Sequence, residues 1–201
     1  MEDIYRTIEK PSEGLFKDKG SRFISYAFNV HSEEQIKEIV LSIKKEHHSA
    51  RHHCYAWRLG MTNPVFRVND DGEPSSTAGK PILGQIQSFE LTNILIVVVR
   101  YFGGTLLGVS GLINAYRNAA LDAINNAQIV ERLIEKSFLI EFDYLVMNDV
   151  MKIFKDEKLP QVDPQYDLNC RVKTYVRLSE SDRIEKSLLK IDGLKISTLT
   201  E

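Results

Sequence analysis

The chain has 201 residues, 43% of them hydrophobic and 27% charged, with 26 Lys and Arg against 28 Asp and Glu. That balance excludes a disordered polymer and a strongly basic chain drawn to nucleic acid by net charge alone. The longest apolar run, residues 94–99, is too short to cross a bilayer, and MEDIYRTIEK holds no apolar signal segment, so a cytoplasmic protein without a membrane partner is expected.

The length suits one large domain or two small ones. Cys54 and Cys170 lie far apart and suggest no disulfide framework. Charge is uneven: Lys17 to Arg67 holds nine Lys/Arg against five Asp/Glu, and all five histidines fall between His31 and His53. A local basic surface and an ordinary mixed-charge surface both fit.

RFISYAFNV, residues 22–30, reads as a strand rich in aromatic and β-branched residues. Ser32 followed by Gln35 forms a capping box for a helix with Ile36, Ile39, Val40 and Ile43 on one face. HCYAWRLG, 53–60, returns to strand and stops at Gly60; VFRV, 65–68, is a short hairpin partner. The polar stretch NDDGEPSSTAGKP, 69–81, precedes a helix for which Ser76 or Thr77 is the expected cap. ILIVVVRYF, 94–102, reads as a strand buried on both faces. GGTLLG leads into a helix holding Leu112, Ala115, Tyr116, Ala119 and Ala120. From residue 135 a second pattern begins. SFLIEFDY alternates, with Phe138, Ile140, Phe142 and Tyr144 on one face. A helix near Asn148, strands at 161–168 and 169–178, a capped helix closed by Gly193 and a final strand follow. Strand, helix, strand, strand, helix, strand is the ferredoxin-like βαββαβ order, so two α+β domains are expected, 1–134 and 135–201.

Chemistry concentrates in four places. In DDGEPSSTAGKP, Asp71-Gly72 marks a turn, and Ser75, Ser76 and Thr77 precede a helix whose first amides form an anion site that Lys80 could reinforce. Asp70, Asp71 and Glu73 would repel a phosphate there unless they hold a cation, and a plain turn and cap explains the same residues. RYFGGTLLG is neither a dinucleotide fingerprint nor a P-loop; its glycines serve a ligand's approach or tight packing equally well. Arg100 ends an otherwise apolar strand, where a buried charge needs a partner, and Asp71 or Glu73 is the expected acid. HHSARHHC invites a metal, but adjacent His52 and His53 point to opposite faces of a strand, so no metal or cofactor is expected. Cys54, on an apolar alternating strand, reads as a buried inert thiol. Arg171, Lys173, Tyr175 and Arg177 share one strand face, which suits RNA or plain solvent.

ARHHCYAW, DDGEPSSTAGKPILGQI and NILIVVVRYFGGTLLGVSGLINAY together resemble the signature blocks of the IMPACT family in its bacterial, YigZ-like form. The resemblance implies an N-terminal domain of the ribosomal-protein and translation-factor type, then a ferredoxin-like domain resembling the last domain of elongation factor G. It implies a link to translation, because eukaryotic relatives are regulators that restrain an amino-acid-starvation kinase by competing for its activator. It implies no accepted catalytic activity. Its blocks map onto Arg51, His52, His53, Asp71, Glu73, Thr77, Lys80, Arg100, Gly103, Gly104 and Gly108, the candidate binding residues. One departure is visible: a Gly-Gly-Leu-Val-(Arg/Lys) course reads Ser110-Gly111-Leu112-Ile113-Asn114, which removes a cation from the helix start.

The expectation is a non-enzymatic binding or regulatory protein contacting ribosome, RNA or a translation-associated protein. Phosphate contacts would make that binding weaken steeply with salt. The alternative is an enzyme acting on a phosphorylated small molecule or nucleotide at the DGEPSSTAGKP/RYFGG surface, with Glu73 or His53 as the acid–base group. No small-molecule substrate is identified. A protein-interaction module that ignores nucleic acid is the third reading, marked by salt-insensitive binding to one partner.

Overall fold

The computed structural model describes residues 3–199, in a mixed α and β fold of two compact units. One unit is Tyr5–Arg132; the other runs on from Leu133 and takes in the chain up to Ile4. The chain passes from one unit to the other at Arg132/Leu133. Ile134 lies with the second unit: its N–H donates to the Asp3 carbonyl at 2.7 Å and its carbonyl accepts from Leu178 at 2.9 Å.

The first unit contains β1 (Ile4–Ile8), β2 (Ser12–Asp18), β3 (Ser21–Asn29), α1 (Glu33–Glu46), β4 (His52–Leu59) and β5 (Val65–Asn69). Then come α2 (Gly79–Ser88), β6 (Ile94–Tyr101), α3 (Gly108–Asn125) and β7 (Ile129–Leu133), with the end residues Ile4 of β1 and Leu133 of β7 counted in the other unit. Five strands form an antiparallel sheet in the order β2-β3-β6-β4-β5, and β1 pairs with β7. The apolar run 94–99 becomes the central strand. Ile94, Ile96 and Val98 pack with α2 and α3, while Leu95, Val97 and Val99 pack with α1, so helices cover both faces. Ser32 caps α1 by accepting the Gln35 N–H at 3.2 Å, and Ile36 and Ile43 carry its buried face.

Strands β1, β2 and β7 lie outside the sequence expectation. β2, SEGLFKD, interleaves charges because it is an edge strand, and its glycine has a packing reason. A Cβ on Gly14 would sit 2.4 Å from the Ala123 nitrogen of α3.

The second unit is β8 (Glu135–Asp143), α4 (Met147–Asp156), β9 (Val162–Gln165), β10 (Asn169–Arg177), α5 (Leu178–Leu188) and β11 (Lys195–Leu199). Its strands order as β11-β8-β10-β9, giving the β–α–β–β–α–β course read from the sequence. Phe138, Ile140, Phe142, Val150, Phe154 and Val172 build its core. Two local expectations are corrected. Tyr144 leaves the strand for a 3-10 turn and is exposed, because Asp143 accepts the Leu145 N–H and bends the chain. Helix α5 has no cap from its own sequence; the Asp3 carboxylate accepts the Ser179 N–H instead.

Candidate functional site

The polar stretch folds around one carboxylate. Asp70 Oδ1 accepts the N–H groups of Ala78 and Gly79 at 3.0 and 2.8 Å, and Oδ2 accepts that of Ser76 at 2.9 Å. The Ala78 and Gly79 amides stand at the start of α2, so Asp70, and not Ser76 or Thr77, supplies the cap. The Thr77 hydroxyl is buried and donates to the Pro74 carbonyl at 2.6 Å. An anion site expected at this helix start is thus filled from within the chain. Positive φ at Asp71 (40°) and Gly72 (88°) turns the loop back toward β6.

That turn delivers Glu73 to Arg100. Even-numbered residues of β6 face α2 and α3, and Arg100 continues that register into an apolar environment. Arg100 Nη1 donates to Glu73 Oε1 at 2.6 Å, and the Tyr116 hydroxyl of α3 donates to the same oxygen at 2.8 Å. Arg100 and Glu73 are 7% and 9% exposed, so the carboxylate neutralises a charge that could not otherwise be buried. The guanidinium also lies over the rings of Phe23 and Phe102, at 5.5 and 5.6 Å. Its Nε–H has no hydrogen-bond partner. Cys54 Sγ lies 3.3 Å from the Tyr116 hydroxyl and 3.0 Å from the Asp70 carbonyl oxygen, tying β4 into the cluster. Burial pushes both the Cys54 thiol and the Tyr116 hydroxyl well up from their ordinary values, so neither is ionised at neutral pH.

Asp71 works on the opposite side of the loop. Its carboxylate accepts from Lys44 Nζ at 2.9 Å and from the His53 N–H at 2.8 Å. Burial raises the Asp71 carboxyl, but Lys44 and the His53 amide outweigh it and hold the group below the usual carboxylate range. His53 is buried and its Nε2–H donates to the His47 carbonyl at 3.1 Å; desolvation lowers its pKa against those partners. His52 Nδ1–H donates to the Asp71 carbonyl at 2.9 Å. His52 and His53 diverge as strand alternation requires, and among the described residues no group of three or more His, Cys, Asp or Glu could hold a metal.

A cleft of about 430 Å3 opens beside this cluster. Arg51, His52, Glu73, Pro74 and Arg100 line one side; Leu107, Gly108 and Leu112 line another. Phe102, Leu106 and Val109 form a rim at 51%, 82% and 59% exposure. The glycines shape that rim. Gly103 passes so close to the Gly20–Ser21 turn that an added Cβ would lie 1.9 Å from the Gly20 carbonyl carbon, and its N–H donates to Ser21 Oγ at 3.1 Å. Gly104 and Gly108 carry positive φ, 88° and 70°.

The fold thus brings Arg51, His52, Glu73, Arg100 and Gly108 to one cleft. His53, Asp71, Thr77 and Gly103 support the surrounding loops, while Lys80 is exposed on α2 and Gly104 lies in the rim loop. Sequence reasoning passed over Tyr116 as an apolar-face residue and the rim residues Phe102, Leu106 and Val109. A buried tyrosine needs a partner for its hydroxyl, which was a usable signal; the rim residues have no periodicity to mark them. In the second unit, Arg171, Lys173, Tyr175 and Arg177 face outward from β10. Arg171 Nε donates to Gln165 at 2.6 Å, Lys173 reaches Asp163 at 3.3 Å, and Glu141 and Glu135 sit opposite Arg171 and Arg177.

Comparison with known proteins agrees with this layout. The family model described as the Impact N-terminal domain matches residues 19–124. The IMPACT family member YvyE of Bacillus subtilis is 31% identical over 95% of this chain and 88% of its own. The IMPACT family member YigZ of Escherichia coli is 38% identical over 63% of each chain, so this match spans less than two thirds of that relative. A crystal structure of a hypothetical protein aligns over 100% of both chains at TM-score 0.71 and 26% identity. The chain belongs to the IMPACT family.

Proposed function

We propose that this member of the IMPACT family is a non-enzymatic, translation-linked regulatory protein that binds a translation-associated protein through the cleft beside Arg100. The exposed apolar rim carries this reading. Phe102, Leu106 and Val109 stand in water around a rigid, charged inner wall, an arrangement that costs solubility unless a partner covers it. Family membership supports the link to translation through the regulatory role of the eukaryotic relatives. The finer domain kinships, ribosomal-protein type for 1–134 and elongation-factor-G type for 135–201, fit it as well, and a cytoplasmic site of action goes with it. No helix among the described residues is long and apolar enough to cross a membrane.

Three features speak against catalysis on a phosphorylated substrate. The Ala78 and Gly79 amides at the start of α2 are occupied by Asp70, the Gly103 amide by Ser21, and the Cys54 thiol is held protonated. RNA contact at the β10 face has less support, because its cations are engaged by neighbouring side chains or faced by acids. The test is co-sedimentation of the full chain with ribosomes prepared at low salt, their bound factors retained, across a salt series. Binding that survives moderate salt is expected of a protein contact. Loss along a steep log–log salt slope would indicate RNA phosphates instead, and no binding at low salt would overturn the reading.

A further inference from the structure

We infer that the cleft recognises an acidic–apolar segment of its partner: an aliphatic or aromatic side chain lodged among Phe102, Leu106, Val109 and Leu112, with an adjacent carboxylate turned toward Arg51. This rests on the binding reading above and names the chemistry of the partner.

Charge accounting selects the carboxylate. The cleft holds two permanent cations, Arg51 and Arg100, and one acid, Glu73. Glu73 is consumed by Arg100, which leaves Arg51 as the uncompensated cation; it is exposed, and no ion pair holds it among the described residues. A single acid on the ligand matches that surplus. A phosphate dianion does not, because Glu73 stands in the wall and the nearby helix amides already serve Asp70.

Preorganisation of the wall supplies the second reason. Arg100 is 7% exposed, is bonded through Nη1 to Glu73 and is flanked by two aromatic rings. The wall beside Arg51 is thus set before the ligand arrives, and little ordering entropy is lost on binding.

The apolar half follows from the rim. Leu106 and Val109 are aliphatic and have no flat face to stack a base; of the rim residues only Phe102 offers one, and His52 stands in the polar lining. Sequence-tolerant nucleic-acid grooves rely on several stacking platforms along a cationic track. An apolar side chain beside a carboxylate is protein chemistry.

The test uses two-dimensional amide NMR of the full chain with four probes: N-acetyl-leucine, its neutral amide, inorganic phosphate and uridine monophosphate. N-acetyl-leucine is expected to give saturable shifts at Arg51, Phe102, Leu106 and Val109, with the weak affinity proper to so small a probe. The amide should bind several-fold more weakly, and Leu106→Asp should abolish the shifts while the rest of the spectrum stays folded. Arg51→Glu, also exposed, should weaken the acid and spare the amide. Absence of saturable shifts with N-acetyl-leucine, or equal response to acid and amide, overturns the inference. Stronger response to phosphate or uridine monophosphate also overturns it. Ribosome co-sedimentation read beside these spectra separates the failures, since partner binding can persist when the acidic–apolar chemistry is wrong.

Discussion

Glu73 Oε1 accepts two hydrogen bonds at once, from Arg100 Nη1 at 2.6 Å and from the Tyr116 hydroxyl at 2.8 Å. One oxygen thereby joins the acidic loop, the central strand β6 and helix α3, and fixes the inner wall of the cleft. Removing one partner strands the other. Glu73→Gln or Arg100→Ala should each cost about 3–5 kcal/mol of stability. The double variant Glu73→Gln/Arg100→Ala should cost less than the sum of the singles. Urea unfolding of the four proteins checks this; simple additivity would mean that the two groups are not coupled.

Asp70 is the second prediction. Its carboxylate satisfies three amides of the loop and the α2 start, so Asp70→Ala should lose about 1–3 kcal/mol, and Asp70→Asn less. Limited proteolysis should then cut within 69–78 while the second unit stays intact. A variant as stable and as protease-resistant as the parent would refute Asp70 as the organiser.

Stability of the first unit should fall as pH falls, in two stages. The folded pKa of His53 is depressed from 6.5, so the unfolded chain binds more protons once pH drops below about 6.5 and stability is lost from there downward. Asp71 is depressed from 3.8, so its contribution is present above that value and is lost as pH falls through its lower folded pKa. Denaturant midpoints across pH check the order: His53→Gln should flatten the upper stage only. A parent whose stability rises between pH 7 and 5.5 would contradict the assignment.

Cys54 and Cys170 are both buried free thiols, and burial raises both. Ellman's reagent should react with the native chain no faster than it opens, and quickly in urea. Fast labelling of the native protein at pH 7 would contradict the burial of the two thiols.

Gly103→Ala should cost about 1–3 kcal/mol, because the new methyl meets main-chain atoms of Gly20 and Ser21 that cannot step aside. The damage should reach the rim as well, visible as changed amide shifts at Phe102 and Leu106. Unchanged stability would mean that the close approach is not fixed.

What the sequence disclosed follows from how local each signal is. Residues 94–99 announced a strand covered on both faces, since nothing in them tolerates water. Arg100, ending that run, demanded an acid, and Glu73 was one of the two expected. Asp70 was unreadable in the same way, because its targets are amides that converge only after Asp71, Gly72 and Ser76 adopt positive φ. Thr77 had the composition of a cap, but its hydroxyl turned inward to Pro74. Phe102, Leu106 and Val109 gave no pattern because a glycine-bent loop, not a regular element, sets them side by side.

The most direct measurement is ribosome co-sedimentation of the full chain beside Leu106→Asp, with thermal unfolding of both proteins recorded first. Leu106 is 82% exposed, so the variant should melt with the parent. The expected result is salt-tolerant binding by the parent and its loss in an equally stable variant. Equal binding by the two proteins, or none by the parent, would contradict a translation-linked partner at this cleft.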